Sequence, residues 1–591
     1  MVKRRYYIPK KQTGGQNSRA YFLTSIIFLF TALIVFRLFN LQILEHSFYA
    51  ALASGQHKIT EKLFPIRGKI FAYNSFKEKS YNDLASELYP LAANQELFLA
   101  YAVPKQIKNP QEMATKLAKI LGLPQGELLG KFSKKDDPYE PIKHKVTREE
   151  MGEMDKLNLE GIGFVREDFR YYPEGNMASH ILGFVGCDEG GCSGRYGLEG
   201  YFDKELSGKQ GSLILERDAI GRWIAVGGKT IKEKEDGVDI ILTIDRNIQF
   251  VAFQKLKETV EKHGAEGGTI IIMNPKTGAI IAMASYPDFD PNGYSQVKDV
   301  RVFNNPAIFD QYEPGSIFKI ITMAAAIDAG KVTPQTTYND EKGYVKVDKY
   351  VINNSNFQAH GMITMTQVLE KSINTGAIFA VDLVGIDLFR EYVKKFGFGT
   401  LTGIELSSEV LGDIDQLNKK SDVYLFPASF GQGISVTPIQ MITAVAAIAN
   451  KGKLMKPYIV DTIVKADGER VRTHPKEVRK VISSRTATLL TGMMTSVIQN
   501  GYGKRAGVPG YYVAGKTGTA EISDPDRPVY SEKTIHSFVG FAPAGNPRFV
   551  MLIKLDAPQG VRFADASAAP LFGDLAHFML NYYQIPPEKG D

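Results

Sequence analysis

Glu313-Pro-Gly-Ser-Ile-Phe-Lys-Ile-Ile-Thr-Met-Ala-Ala-Ala326 is the stretch on which the reading of this chain turns. Pro314-Gly315 marks a turn, and Ile317, Phe318, Ile320, Ile321, Met323 and the three alanines predict a buried helix after it. Ser316 falls in its first turn, three residues before Lys319. Residues three apart share a helix face, so the lysine amine can reach the serine hydroxyl. A serine hydroxyl is a poor nucleophile until a base takes its proton. A lysine desolvated among apolar side chains has a lowered pKa and can be that base. Backbone N–H groups left free at a helix start can also stabilise an oxyanion.

Ser-x-x-Lys is a weak motif alone, and it recurs at Ser295–Lys298, in a polar stretch after Pro291-Asn-Gly293 that reads as surface loop. Working outward, Ser372-Ile-Asn374 lies in the apolar stretch Val368–Leu383, which reads as helical. By itself it would be a solvent-facing Ser and Asn. Beside the first motif, a hydroxyl and an amide on one short segment suit proton relay and substrate positioning. Lys516-Thr-Gly-Thr519 is the third element; its other copy, Lys276–Gly278, sits in a hairpin turn and is structural. Gly510 to Thr517 also matches the phosphate-binding P-loop pattern. That reading needs a preceding apolar strand and a following helix, whereas 501–510 is loop-like and Glu521–Pro528 starts no helix. A strand offering an ammonium, hydroxyls and close glycine backbone suits a substrate carboxylate instead.

Of the net charge of +6, Lys3, Arg4, Arg5, Lys10, Lys11 and Arg19 supply six, leaving the remainder near neutral. A nucleic-acid protein carries its basic surface on the folded part, so nucleic acid is excluded. Ala20–Phe36 has no charge, and the apolar pattern resumes after Arg37 through Leu44. That reaches the ~20 residues needed to cross a bilayer. No small-x-small cleavage site follows, so a retained anchor is expected, with its basic end cytoplasmic. Cys187 and Cys192 could close a small disulfide loop in an oxidising compartment or stay as two thiols. The nine histidines show no metal-ligand spacing. No metal and no cofactor are expected.

The expected organisation is a basic tail (1–20), a transmembrane helix (21–44), an α+β module (45–236), a catalytic domain (237–582) and a short tail (583–591), with the charged stretch Gly227–Gly237 as the boundary. Leu97–Val103 reads as a strand and Pro110–Leu121 as a helix. In the catalytic region strands are predicted at 239–244, 269–273, 279–285, about 511–516 and 537–556. Helices are predicted at 247–262, about 316–329, 364–380, 437–450 and 570–582. Strands at both ends with helices between imply an α+β fold, an antiparallel sheet sandwiched by helices.

The ordered set Ser316–Lys319, Ser372–Asn374, Lys516–Gly518 resembles the serine penicillin-recognising enzymes, which include transpeptidases, carboxypeptidases and β-lactamases. Tyr312-Glu-Pro-Gly-Ser316, Leu242-Thr-Ile-Asp245, Gly431-Gln-Gly433 with Thr437-Pro438, Lys516-Thr-Gly-Thr-Ala520 and Ser537-Phe-Val-Gly-Phe541 narrow the resemblance to class B penicillin-binding proteins. The front half is similar to that family's elongated pedestal, or dimerisation-type domain, at Arg37-Leu38, Leu41-Gln42, Arg67-Gly68, Arg170, Tyr172-Pro173, Gly197-Leu-Glu199 and Tyr201. Ala72 departs from it, since the family usually has an acidic residue nearby.

The resemblance implies a β-lactamase-like transpeptidase domain that cross-links peptidoglycan stem peptides through an acyl-enzyme and is stalled by β-lactams. Ser316 would be the nucleophile, Lys319 its base, and Ser372 with Lys516 the relay. Asn374 would hold the substrate amide; Lys516, Thr517 and Thr519, with Gly518 between them, would bind the terminal carboxylate. The N–H groups of Ser316 and Thr519 would form the oxyanion hole. A β-lactamase or carboxypeptidase needs no pedestal and anchor together, and a β-lactam sensor typically carries several membrane segments. A bifunctional enzyme needs a glycan-polymerising domain that 45–235 does not resemble. Implied partners are the cytoplasmic membrane, a multi-span membrane glycan polymerase and division or elongation proteins. Tyr312–Ser316 and the overall length favour the septal branch over lateral-wall synthesis.

Overall fold

The computed structural model describes residues 17–46, 58–74, 88–134, 137–188, 191–216, 230–419, 421–523 and 530–589. The basic tail to position 16, the start of the boundary stretch at 227–229, and positions 524–529 lie outside the described residues. Two compact units emerge, one of residues 1–65 and 209–235, the other of 66–208 and 236–591.

In the first unit, the helix Asn17–Phe39 continues as a π-helical turn, Asn40–Leu44. Arg19–Leu44 is long and apolar enough to cross a membrane, and its apolar window is not buried against protein. The same unit holds a small antiparallel sheet of Lys58–Leu63, Gly211–Glu216 and Thr230–Lys232.

The core of the second unit is an antiparallel sheet in the order Ile280–Tyr286, Gly267–Met273, Phe549–Asp556, Tyr530–Ala542, Ala514–Ser523. Every residue of Gly267–Met273 is buried, so both faces of the sheet are covered, as its unbroken Ile270-Ile-Ile272 run requires. Arg246–His263 and Ala568–Tyr582 pack on the sheet and on each other, as do Pro438–Ala449 and Ser484–Asn500. Two motifs noted in the sequence are helix caps. The Asp245 carboxylate accepts from the N–H groups of Asn247 (3.0 Å) and Ile248 (3.1 Å), and Thr437 forms a capping box with Gln440.

A second sheet draws on both halves of the chain: Asp239–Asp245 runs parallel to Ile70–Tyr73, which pairs with Leu88–Ala102. Ala72 is fully buried in that strand, a place where an acidic side chain would need a partner. Nearby, the fully buried Glu199 joins Arg67 and Arg170, each at 2.6 Å, so three pedestal residues singled out in the sequence form one ionic cluster. Cys187 and Cys192 are bonded to each other across the hairpin of Phe184–Asp188 and Gly191–Arg195.

Besides the helix expected at 316–329, which is α-helical only over Lys319–Asp328, three expected elements differ. The helix expected at 364–380 is two, Met365–Glu370 and Asn374–Val384, because Ser372 adopts a left-handed backbone (φ +54°) that no α-helix continues through. The strand expected at 537–556 is also two, Tyr530–Ala542 and Phe549–Asp556, separated by the Pro543-Ala-Gly-Asn-Pro547 turn. The strand expected at 511–516 begins only at Ala514, since Gly510 (φ +82°) and Tyr511, whose N–H donates to the Val508 carbonyl, complete a turn.

Candidate active site

Gly315–Phe318 is a 3₁₀ turn, and the α-helix proper starts at Lys319. This turn packs against the edge strand Ala514–Ser523. The approach is close enough to demand glycine at position 518: a Cβ there would lie 2.4 Å from Ser537 Oγ and 3.1 Å from the Pro314 carbonyl oxygen. Behind the turn, Gly431 (φ +82°) accepts from the Gly315 N–H, and a Cβ on it would sit 2.3 Å from the Gly315 oxygen. These two glycines set the position of Ser316 from both sides.

Lys319 is fully buried, and its amine is the hub of the site. Nζ lies 3.1 Å from Ser316 Oγ, 2.6 Å from the Ser372 carbonyl oxygen, 3.3 Å from Ser372 Oγ and 2.7 Å from Asn374 Oδ1. The Asn374 amide is oriented by its own Nδ2, which donates to the Asn353 carbonyl at 2.9 Å. The left-handed backbone of Ser372 turns both its carbonyl and its hydroxyl towards Lys319, which a continuous helix could not do. From the edge strand, the buried Lys516 donates to Ser372 Oγ at 3.0 Å and to the Thr517 carbonyl at 3.1 Å. Ser372 Oγ therefore bridges two lysine amines.

Burial, and then the neighbouring Lys516, hold Lys319 well below the usual lysine range. Burial pushes Lys516 down to about 7. Two lysines sharing one hydroxyl in a desolvated pocket disfavour the doubly charged state, which favours the neutral form of one amine.

Ser316, Ser372, Asn374, Thr517 and Thr519 line one cleft of about 610 Å³. Thr519 Oγ1 accepts from the Ala564 N–H at 3.2 Å, which ties the strand to the opposite wall. All eight expected residues thus converge, Gly518 as the point of closest approach. The alternative copies do not join them. Ser295 and Lys298 are exposed, and Lys276 bonds Asn546 at 2.9 Å in the turn between two strands. Lys516 lies inside an antiparallel strand, not in a loop before a helix, so the P-loop pattern is a coincidence of spacing.

Residues 268–577 match the penicillin binding protein transpeptidase domain, and residues 64–242 the penicillin-binding protein dimerisation domain. The chain is a class B penicillin-binding protein. It is 34% identical to stage V sporulation protein D of Bacillus subtilis over 89% of this chain and 79% of that one. It is 29% identical to the peptidoglycan D,D-transpeptidase FtsI of Buchnera aphidicola, over 97% and 96% of the two chains. Among solved structures, penicillin binding protein 3 of Mycobacterium tuberculosis, complexed with aztreonam, is 27% identical with a TM-score of 0.67, covering 90% of this chain and 98% of that one.

Sequence reasoning missed the cleft walls of this penicillin-binding protein. One is Val351–Phe357 with Phe430 and Gln432, the other Arg562–Asp565, and Glu521 extends the edge strand. The run Asn353-Asn-Ser-Asn356 was the available signal, a polar cluster between apolar segments.

Proposed function

We propose that this class B penicillin-binding protein cross-links stem peptides by two-step acyl transfer, with Ser316 as nucleophile and neutral Lys319 as its base. The observation that carries the reading is the bonding of Lys319. A neutral amine has two N–H donors and one lone pair. The short bonds to the Ser372 carbonyl (2.6 Å) and Asn374 Oδ1 (2.7 Å), both acceptors, use the two donors. The lone pair is left for the Ser316 hydroxyl at 3.1 Å, the nearer of the two serine hydroxyls, since Ser372 Oγ lies at 3.3 Å and takes its hydrogen bond from Lys516.

Ser316 Oγ adds to the penultimate D-alanyl carbonyl as Lys319 takes its proton. The oxyanion rests on the Ser316 and Thr519 N–H groups, each worth about 3 kcal/mol if preorganised. Ser372, between the two lysines, passes a proton to the departing D-alanine amine as the C–N bond breaks. Lys516, Thr517 and Thr519 hold the terminal carboxylate, and Asn374 the substrate amide. An amine of a second stem then attacks the ester, its proton going to Lys319 and on to Ser316. A β-lactam ring opens by the same first step, but its leaving nitrogen stays tethered, which blocks the second. Mixing the full chain with a donor peptide and an amine acceptor should release D-alanine and form the cross-linked product; hydrolysis alone would overturn the transpeptidase reading.

The pH dependence follows in sign. Protonated Lys319 cannot accept a proton, so acylation should fall as pH drops through its lowered pKa. Lys516→Met removes a neighbouring positive charge and so raises the Lys319 pKa. The acid limb of the penicillin acylation rate should move to higher pH, a shift visible in a stopped-flow pH profile; an unmoved limb would uncouple the two lysines.

The domain boundaries follow the same reading: tail 1–20, anchor 21–44, pedestal 45–236, transpeptidase 237–582 and a tail from 583. The chain crosses the cytoplasmic membrane once, with its N-terminus inside and its catalytic domain outside. It meets a multi-span glycan polymerase through Tyr21–Leu44 and the pedestal. The role is septal, supported by Tyr312–Ser316 and by the likeness to the peptidoglycan D,D-transpeptidase FtsI of Buchnera aphidicola. Depletion should leave filaments or unseparated chains, whereas rounded cells would indicate lateral-wall synthesis.

A further inference from the structure

Successive side chains of a strand alternate between its faces, and on the edge strand Thr517, Thr519 and Glu521 all line the cleft. The proposed mechanism uses the first two and leaves Glu521 unassigned. Its side chain is exposed, and among the described residues it makes no ion pair. The Glu313 carboxyl lies near enough for Glu521 to raise its pKa, after burial, and is held by the Tyr530 hydroxyl (3.1 Å) and the Gly433 N–H (2.9 Å). The cleft is also lined by Arg562 and Asp565, one charge of each sign, so with Glu521 its surplus is acidic.

The direction of a bound donor follows from the transpeptidase reading, on which this inference rests. With the terminal carboxylate at Thr517 and the scissile carbonyl at Thr519, the rest of the donor must run on towards Glu521, antiparallel to the edge strand. Thr517 to Glu521 spans ~13 Å. That matches the reach from the terminal carboxylate to the tip of a long side chain two residues earlier. Cross-linking requires an amine on each stem, so a donor not yet linked carries such an amine itself, charged at neutral pH.

We infer that Glu521 is a specificity residue of the donor site, holding the side-chain ammonium of the residue two positions before the terminal D-alanine. An uncapped donor then enters in register with the nucleophile, and a donor already capped there loses the contact.

The test uses the full chain in detergent with two peptide thioester donors, ending in thioglycolate in place of the last D-alanine. One carries a free side-chain amine and the other the acetylated amine. Acylation is read as thiol release. Wild type should favour the free amine by roughly 3- to 10-fold in kcat/KM, the range of a partly exposed charge pair. Glu521→Gln should lose the preference with an unchanged melting temperature, and Glu521→Lys should reverse it. Equal use of both donors by wild type, or a preference that survives Glu521→Gln, overturns the inference. So does an effect confined to transfer onto an added amine, which would place Glu521 on the acceptor side. Penicillin labelling of wild type reads the underlying mechanism separately: its absence would remove the transpeptidase reading and this inference with it.

Discussion

A fluorescent penicillin should label the wild-type chain at a single residue, and Ser316→Ala should show no label at all. Removing the nucleophile of a serine acyl-transfer enzyme costs about 10⁶ in rate, far below gel detection. The substitution removes one hydroxyl, bonded to Lys319 Nζ at 3.1 Å, from a half-buried position, so the fold should persist. Ser295→Ala is the matched control. It carries the same Ser-x-x-Lys spacing, but Ser295 and its Lys298 are both exposed at a 3₁₀ segment, and it should label as wild type does. Ser372→Ala separates nucleophile from relay: it keeps Ser316 and should slow labelling without abolishing it. A peptide map placing the label on any serine other than Ser316 would sink the assignment.

Much of this site was legible because its first and third motifs are local. Ser316 and Lys319 are joined by helical spacing alone, and Lys516-Thr-Gly518 by position on one strand. Ser372 was legible as chemistry but not as conformation. Val368 and Leu369 before it and Ala377 and Ile378 after it are all buried, so apolar periodicity runs straight through the break. Nothing in the residue type marks a serine that must turn left-handed to aim its carbonyl at a lysine. Non-local pairing was illegible for a different reason. Asp239–Asp245 lies beside Ile70–Tyr73 across some 170 positions, and each strand's apolar pattern is satisfied by any buried neighbour. That pairing is one of the contacts that join the pedestal strands to the catalytic region within one compact unit. Much of the cleft walls, Asn356 and Phe563 among them, comes from loops, where position is set by what the loops connect.

Lys319→Met should reduce penicillin acylation by about 10²- to 10⁴-fold, the usual contribution of a positioned general base. Methionine nearly matches the volume of the buried lysine, so packing around Ile320 and Ile321 is largely kept. The cost to folding lies elsewhere: the Ser372 carbonyl and Asn374 Oδ1 each lose a donor, which should lower the melting temperature measurably without unfolding the protein. Lys319→Arg discriminates between two roles for the lysine. If Lys319 served only as a fixed positive charge or as a donor to Ser372 and Asn374, a guanidinium that packed there would restore much of the rate. Arginine stays charged at any accessible pH and offers no lone pair, so a base cannot be replaced by it. Acylation by Lys319→Arg should therefore be as slow as by Lys319→Met, with no recovery as pH is raised. Recovery at high pH in either variant would point to another base. The candidate is Lys516, whose buried amine lies 3.0 Å from Ser372 Oγ and is pushed down to about 7. A Lys319→Met, Lys516→Met double variant would then remove the recovered rate.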